Sequence, residues 1–286
     1  MGSLDAIERW PGRHAAVVVA TSPAGTAVAA SWGELDEPFA YASVTKLATT
    51  LAVLVEVDQG RCDLGEPVGP PDATLAHLLS HASGLGLEGE GPVAAPGARR
   101  IYSNVGVDLA AAHAARRARV TPADLVAANV FEPLGMSRTF LERRASDGAV
   151  GPVSELAALT GELLAPTLLG PELAERQRTV QFPGLIGVLP GFGRQAPCDW
   201  GLGPEVKGTK QPHWTGSSWP TTTVGHFGRA GGFVAVDTAA GIAVATLGDE
   251  SFGPWAIAAW PTLTDDVHRE HVMGTRVAAR GVGRPR

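Results

Sequence analysis

Cysteine is nearly missing: Cys62 and Cys198 stand alone in 286 residues. Two thiols so far apart build neither a disulfide scaffold nor a four-ligand zinc site, so both read as buried free thiols. Lysine is scarce as well, since Lys46, Lys207 and Lys210 stand against twenty arginines, and each lysine is therefore worth locating. An excess of positive charge is also absent. The 23 basic and 29 acidic residues leave −6, whereas a polyanion needs clustered cations, so nucleic acid is excluded as a partner. Long apolar runs do not occur near the start: MGSLDAIERWPGR contains acidic residues and no apolar h-region, and Ala15 to Ala20 is too short to target or span a membrane. The expectation is a cytoplasmic protein with no membrane partner. A Gly-x-Ser-x-Gly elbow, a Walker loop and a His-Glu-x-x-His helix are missing too, which removes the key parts of an α/β-hydrolase, an NTPase and a zincin.

What remains is a folded globular chain, with 44% apolar and 18% charged residues and a length that fits one large domain or two. Ala15–Thr21 and Thr26–Trp32 are β-prone runs around Ser22-Pro23-Ala24-Gly25 and predict a hairpin. Ser43 to Val57 carries Leu47, Leu51, Leu54 and Val55 at helical spacing and predicts a largely buried helix stopped by Gly60. From about 61 to 182 the text predicts short helices and loops without strand pairs: Ala73–Ser80, Asn104–Arg117, a start at Thr121-Pro122 and Ser154–Leu164. From Trp200 onward β-type runs return, ending in a meander over Gly232–Asp237 and Ile242–Leu247. A last helix over Pro254 to Val272 is expected to break near Pro261, and 274–286 reads as a frayed tail. Strands at both ends around a helical middle predict an α+β domain. Its sheet lobe would take about 1–60 and 183–272, its helical lobe 61–182, with a cleft between them.

Three groups of residues carry chemistry. Ser43 and Lys46 are three apart at a helix start, so a hydroxyl and an amine project from one face of the first turn. Such a serine is a nucleophile only if a base takes its proton, and a lysine serves only when burial or neighbouring charge lowers its pKa. Tyr102-Ser103-Asn104 is the second group. With two tyrosines and two asparagines in the chain, the pairing Tyr-x-Asn is expected by chance only about 0.014 times. A phenol near an ammonium can act as a base, and the amide can orient the lysine. His226-Phe227-Gly228 is the third, weak alone but placed just before Gly231-Gly232, where backbone can approach a ligand closely.

In this order the groups resemble the serine β-lactamase and penicillin-binding-protein-like hydrolases, especially the branch of class C β-lactamases, D-aminopeptidases, DD-carboxypeptidases and esterases. Phe39–Lys46, Leu78–Leu85, Pro96-Gly97 with Tyr102–Gly106, Phe131–Met136 and Gly225–Gly232 carry the likeness over about 14 to 260. The resemblance implies a β-lactamase/transpeptidase-like fold, an antiparallel sheet flanked by helices with an inserted helical lobe. It implies Ser43 as acylated nucleophile, Lys46 and Tyr102 as the proton-transfer pair, and Asn104 bridging lysine and substrate. It further implies an oxyanion hole from the N–H groups of Ser43 and Arg229, with His226 donating toward substrate or the Tyr102 oxygen. Neither metal nor other cofactor is implied.

The chain departs from that branch at the third group, where class C enzymes have Lys-Thr-Gly. His226 is largely neutral near pH 7, so weak or no β-lactamase activity is expected. Only 16 residues separate Leu85 from Tyr102, which predicts an open pocket. The expectation is a serine hydrolase acting on a small-molecule ester or amide. A D-aminopeptidase or DD-peptidase, and an acyl-binding or sensor module without turnover, are the alternatives. His81 and Ser83 are read as structural, Lys207 and Lys210 as solvated loop charges, and Trp214, Trp219, Phe192 and His213 as either pocket lining or ordinary packing.

Overall fold

The structure is a computed structural model and describes residues 2–89 and 91–273; the tail of 274–286 lies outside the described residues. Strands β1 (His14–Ser22) and β2 (Gly25–Trp32) form the expected hairpin, closing with Ser22 opposite Gly25. Strands β3 (Pro38–Ala40), β4 (Phe140–Leu141) and β5 (Ala149–Pro152) make a small antiparallel sheet in the order β3-β5-β4. This corrects the expectation that 61–182 holds no strand pair. β4 and β5 are too short for a period of two to show, and their pairing rests on β3, far upstream in the chain. A separate hairpin joins β6 (Gly187–Leu189) to β7 (Gly193–Gln195). Strands β8 (Glu205–Val206), β9 (Val224–Phe227), β10 (Phe233–Asp237) and β11 (Ile242–Gly248) complete a six-stranded sheet ordered β2-β1-β11-β10-β9-β8. Every pair in it is antiparallel.

Side chains on a strand alternate between faces, and here both faces are apolar. Ala15, Val17, Val19, Val234, Val236, Ala243, Ala245 and Leu247 enter one core, while Ala16, Val18, Phe233, Ala235, Ile242 and Val244 enter another. The central strands therefore read as continuous apolar runs, which is how a strand buried on both faces must read. The helices that supply the two covers are α1 (Thr45–Asp58), α2 (Leu75–Leu79), α3 (Asn104–Ala118), α4 (Pro122–Val126), α5 (Val153–Leu164), α6 (Pro171–Arg178) and α7 (Pro254–His268). Residues of α1, α3 and α5 fill the first core, and Ala256, Trp260, Leu263 and Val267 of α7 fill the second. The architecture is the expected α+β one. Among the described residues no helix is long and apolar enough to cross a membrane.

Helix α1 is buried from Thr45 to Glu56, so it is apolar nearly all round rather than striped. Helix α7 does not break at Pro261, contrary to expectation. The ring removes a donor to the carbonyl four residues back, on Ile257, which lies on the exposed side, while buried Trp260 and Leu263 hold the segment in place.

A third correction concerns two lysines, expected to be solvated loop charges. Lys207 donates to the carbonyls of Gly216 at 2.6 Å and Trp219 at 2.8 Å. Lys210 is fully buried, 3.2 Å from Glu205 Oε1, and donates to the carbonyls of Asp199 and Val206. Glu205 also takes His213 at 3.1 Å and Trp214 Nε1 at 2.7 Å. Burial pushes the Glu205 carboxyl up, but Lys210 and then His213 outweigh it and bring the pKa down to about 2. Loop carbonyls, which no sequence pattern reports, draw both amines inward. Lys210→Met is expected to cost about 3 kcal/mol in urea unfolding, the lower end for a broken buried pair, since His213 and Trp214 still hold the carboxylate.

Candidate active site

Ser43 lies in a single 3₁₀ turn, Ala42–Val44, that leads into α1. Ala42 takes φ 46°, in the left-handed region that a residue with a Cβ avoids, so this turn carries local strain immediately before the serine. One turn on, Lys46 lies buried beneath the serine. Its Nζ is 3.2 Å from Ser43 Oγ, 2.6 Å from Asn104 Oδ1 and 2.9 Å from the Ser146 carbonyl oxygen. Burial is the main influence on this amine and lowers its pKa to about 7, against the upward pull of Asp147 and Asp108. Near neutrality the group is thus divided between ammonium and amine. In the amine form, two N–H bonds serve Asn104 and Ser146, and the lone pair is left for the Ser43 hydroxyl.

Tyr102 precedes α3, whose first turn is capped by Ser103 Oγ accepting the Gly106 N–H at 2.9 Å. The Lys46 Nζ sits 4.8 Å from the centre of the Tyr102 ring. Burial pushes the phenol above its ordinary range, with an interaction from the Ser43 hydroxyl opposing it. His81 packs its ring 4.6 Å from that of Tyr102, and its Nδ1 accepts the Ser103 N–H at 3.1 Å. His81 therefore supports the loop that carries the phenol, while buried Ser83 accepts the Leu85 N–H at 3.4 Å.

Asn104 joins Lys46 to Glu88, because its Nδ2 donates to Glu88 Oε1 at 2.7 Å. Glu88 was not singled out in the sequence; it lies in a glycine-rich loop with no signal of its own. Arg144 binds it at 2.8 Å, and the hydrogen bonds from Arg144 and then Asn104 bring its pKa down to about 2. The Ser146 carbonyl was likewise invisible, since a backbone oxygen carries no residue signature.

His226 is on β9 and needs a correction of role. Its Nδ1 lies 2.8 Å from the Phe227 carbonyl oxygen, which only accepts, so the proton is on Nδ1. Nε2, 3.5 Å from the Tyr102 hydroxyl, is then an acceptor and does not donate toward it. Burial, then the Lys46 charge, lowers the His226 pKa to about 3, which keeps the ring neutral in the ordinary pH range.

Gly228 brings the end of β9 against the serine turn. A Cβ there would stand 2.5 Å from the Tyr41 carbonyl oxygen and 3.3 Å from the Ser43 nitrogen. The turn after it is tied by Gly228 N–H to Gly232 at 2.8 Å and Gly231 N–H to Gly228 at 3.0 Å. Among the described residues no acceptor takes the Ser43 or the Arg229 N–H. The Ser43 N–H, in the turn that leads into α1, and the Arg229 N–H, in the turn after β9, are thus free donors of the kind that suits an oxygen with growing negative charge.

These residues open onto a cavity of about 730 Å³, lined by Ser43, Tyr102, Asn104, His226 and Arg229 and by the rings of Trp200, Phe227 and Phe252. Trp214, Trp219, Phe192 and His213 are not among its walls; they are buried in the packing below. The wall aromatics are instead Trp200 ahead of β8, Phe227 at the end of β9 and Phe252 after β11, of which only Phe227 belonged to a group marked in the sequence.

A sheet covered on both faces, with a serine heading a buried helix and an amine one turn behind it, defines a β-lactamase/transpeptidase fold of the general serine-hydrolase type. The β-lactamase family model matches residues 6–263, and the chain belongs to that family. A β-lactamase from Mycobacterium bovis is similar at 42% identity, covering 94% of this chain and 99% of its own, with a TM-score of 0.91. Simvastatin synthase from Aspergillus terreus shares the fold at 17% identity, covering 94% and 96%, with a TM-score of 0.74. The octameric penicillin-binding protein homologue from Pyrococcus abyssi does so at 18% identity, covering 98% and 80%, with a TM-score of 0.70. A comparison with curated proteins gave no match.

Proposed function

We propose that the protein hydrolyses small-molecule esters or amides through an acyl-enzyme on Ser43. The observation that carries this reading is the buried Lys46 amine, 3.2 Å from Ser43 Oγ with its other protons committed to Asn104 and Ser146. Lys46 takes the hydroxyl proton as Ser43 attacks the carbonyl. The N–H groups of Ser43 and Arg229 hold the oxyanion, and Tyr102 passes a proton to the departing alcohol or amine. Water then enters, and Lys46 activates it to release the acid. His226 keeps the phenol in place by accepting from it. The reaction uses only these groups.

The 42% identical relative is by name a β-lactamase, which makes nitrocefin the natural comparison substrate. His226, neutral in the assay range, offers no fixed charge to a β-lactam carboxylate. Nitrophenyl esters are expected to be turned over faster than nitrocefin.

A fluorophosphonate should add one phosphonyl group per chain, located at Ser43 by intact mass and peptide mapping. A protein that stays unlabelled and is inactive on nitrophenyl esters would overturn the reading; one that labels without turnover would be an acyl-binding module. Gly228→Ala is expected to lower kcat by about 10²-fold, because the added methyl pushes the Arg229 N–H away from that of Ser43. Stopped assays on p-nitrophenyl acetate, with thermal unfolding as the control for folding, check this.

A further inference from the structure

The hydroxyl of Tyr102 faces the catalytic cavity, but its residue also walls a second groove of about 480 Å³. Leu87 and Pro190 are shared between the two in the same way. Beyond them the groove floor is apolar and open. Leu87, Ile186 and Val188 are 52%, 43% and 61% exposed, three of the nine large hydrophobic residues that stand out on the described surface. Such side chains converging on one groove mark a binding surface, whereas scattered ones would not. Charge adds a second observation. Arg99, Arg100 and Arg194 line the groove and no acidic residue does, in a chain with net charge −6. Arg99 and Arg194 are exposed and have no carboxylate partner among the described residues. Arg100 is buried and spends its donors on carbonyl oxygens, those of Cys198 at 3.0 Å, Ser80 at 2.5 Å and Gln181 at 2.6 Å; it makes no ion pair among the described residues, and Asp199 acts on its charge from a distance.

We infer that this groove receives the alcohol side of the substrate, an apolar chain of several carbons ending in a carboxylate. The inference rests on the Ser43 reading for its direction: Tyr102 hands its proton to the leaving oxygen, so the alcohol departs on the Tyr102 side, where the groove begins. The bond formed is the Ser43 acyl ester and the bond broken is the substrate C–O bond. The alcohol leaves with the proton that Ser43 gave up, relayed through Lys46 and Tyr102, and water later regenerates the serine. The apolar floor holds the chain by burial, and the arginines meet its acidic end.

The test compares 8-acetoxyoctanoate with ethyl acetate in turnover, and 8-hydroxyoctanoate with 1,8-octanediol in calorimetric binding. The expected results are a kcat/KM at least tenfold higher for 8-acetoxyoctanoate and tighter binding of 8-hydroxyoctanoate by a similar factor. Val188→Asp should shrink the first ratio toward one, and Arg194→Glu should erase the second; both positions are exposed, and circular dichroism verifies folding. Equal rates for the two esters with Ser43 labelled would overturn the groove and leave the Ser43 reading standing. If Ser43 is not labelled, that reading fails, and the binding comparison alone decides the groove: tighter 8-hydroxyoctanoate supports it, equal or absent binding overturns it.

Discussion

Replacing Ser43 by alanine is expected to lower kcat on nitrophenyl esters by about 10⁵-fold while KM changes little, since the acyl intermediate loses the atom it forms on. Background turnover would persist through the oxyanion donors and substrate binding alone. The loss should not come from unfolding. Ser43 Oγ is one of three hydrogen-bond partners of Lys46, and Asn104 at 2.6 Å and the Ser146 carbonyl at 2.9 Å remain in the variant. Stability should therefore move by only about 1 kcal/mol, the net worth of one hydrogen bond. Turnover and urea unfolding measured on one preparation separate the two effects. A variant that keeps more than a hundredth of the activity would show that another residue carries the acyl group.

Much of this site could be read before any coordinates, because it is built from side chains with rare spacings. Ser43 and Lys46 fall on one face of a helix start, and Tyr102 and Asn104 flank a helix cap; the structure brings all four together around one amine. The α+β class was legible for a related reason, since β1, β10 and β11 are long enough to be recognised as apolar runs. What stayed hidden depends on backbone groups or on very short elements. β4 and β5 span two and four residues. The Ser146 carbonyl that fixes Lys46, the Phe227 carbonyl that fixes the His226 tautomer, and the carbonyls that bury Lys207 and Lys210 belong to peptide units any residue could supply. Glu88 was missed because its partner Arg144 lies far along the chain, and neither position shows a pattern.

Lys46→Met is expected to lower kcat/KM by about 10³- to 10⁵-fold, and the pH profile of the unmodified enzyme should show why. Burial holds the Lys46 pKa near about 7, below its ordinary value. The amine form accepts the serine proton and the ammonium form cannot, so kcat/KM should fall about tenfold per pH unit below that value and level off above it. Folding stability carries the same signature in the opposite range. Because the native state holds this proton less tightly than the unfolded chain, stability from this group rises with pH from about 7 to the unfolded lysine value, and it is lowest below both. The phenol behaves differently: burial raises the Tyr102 pKa, so it stays protonated across the assay range and serves as a donor. Tyr102→Phe should therefore cost less, about 10²-fold in kcat, and keep the same acid limb. An acid limb that vanishes in Tyr102→Phe would transfer the base to the phenol. One that survives, together with its loss in whatever residual activity Lys46→Met retains, assigns it to the amine.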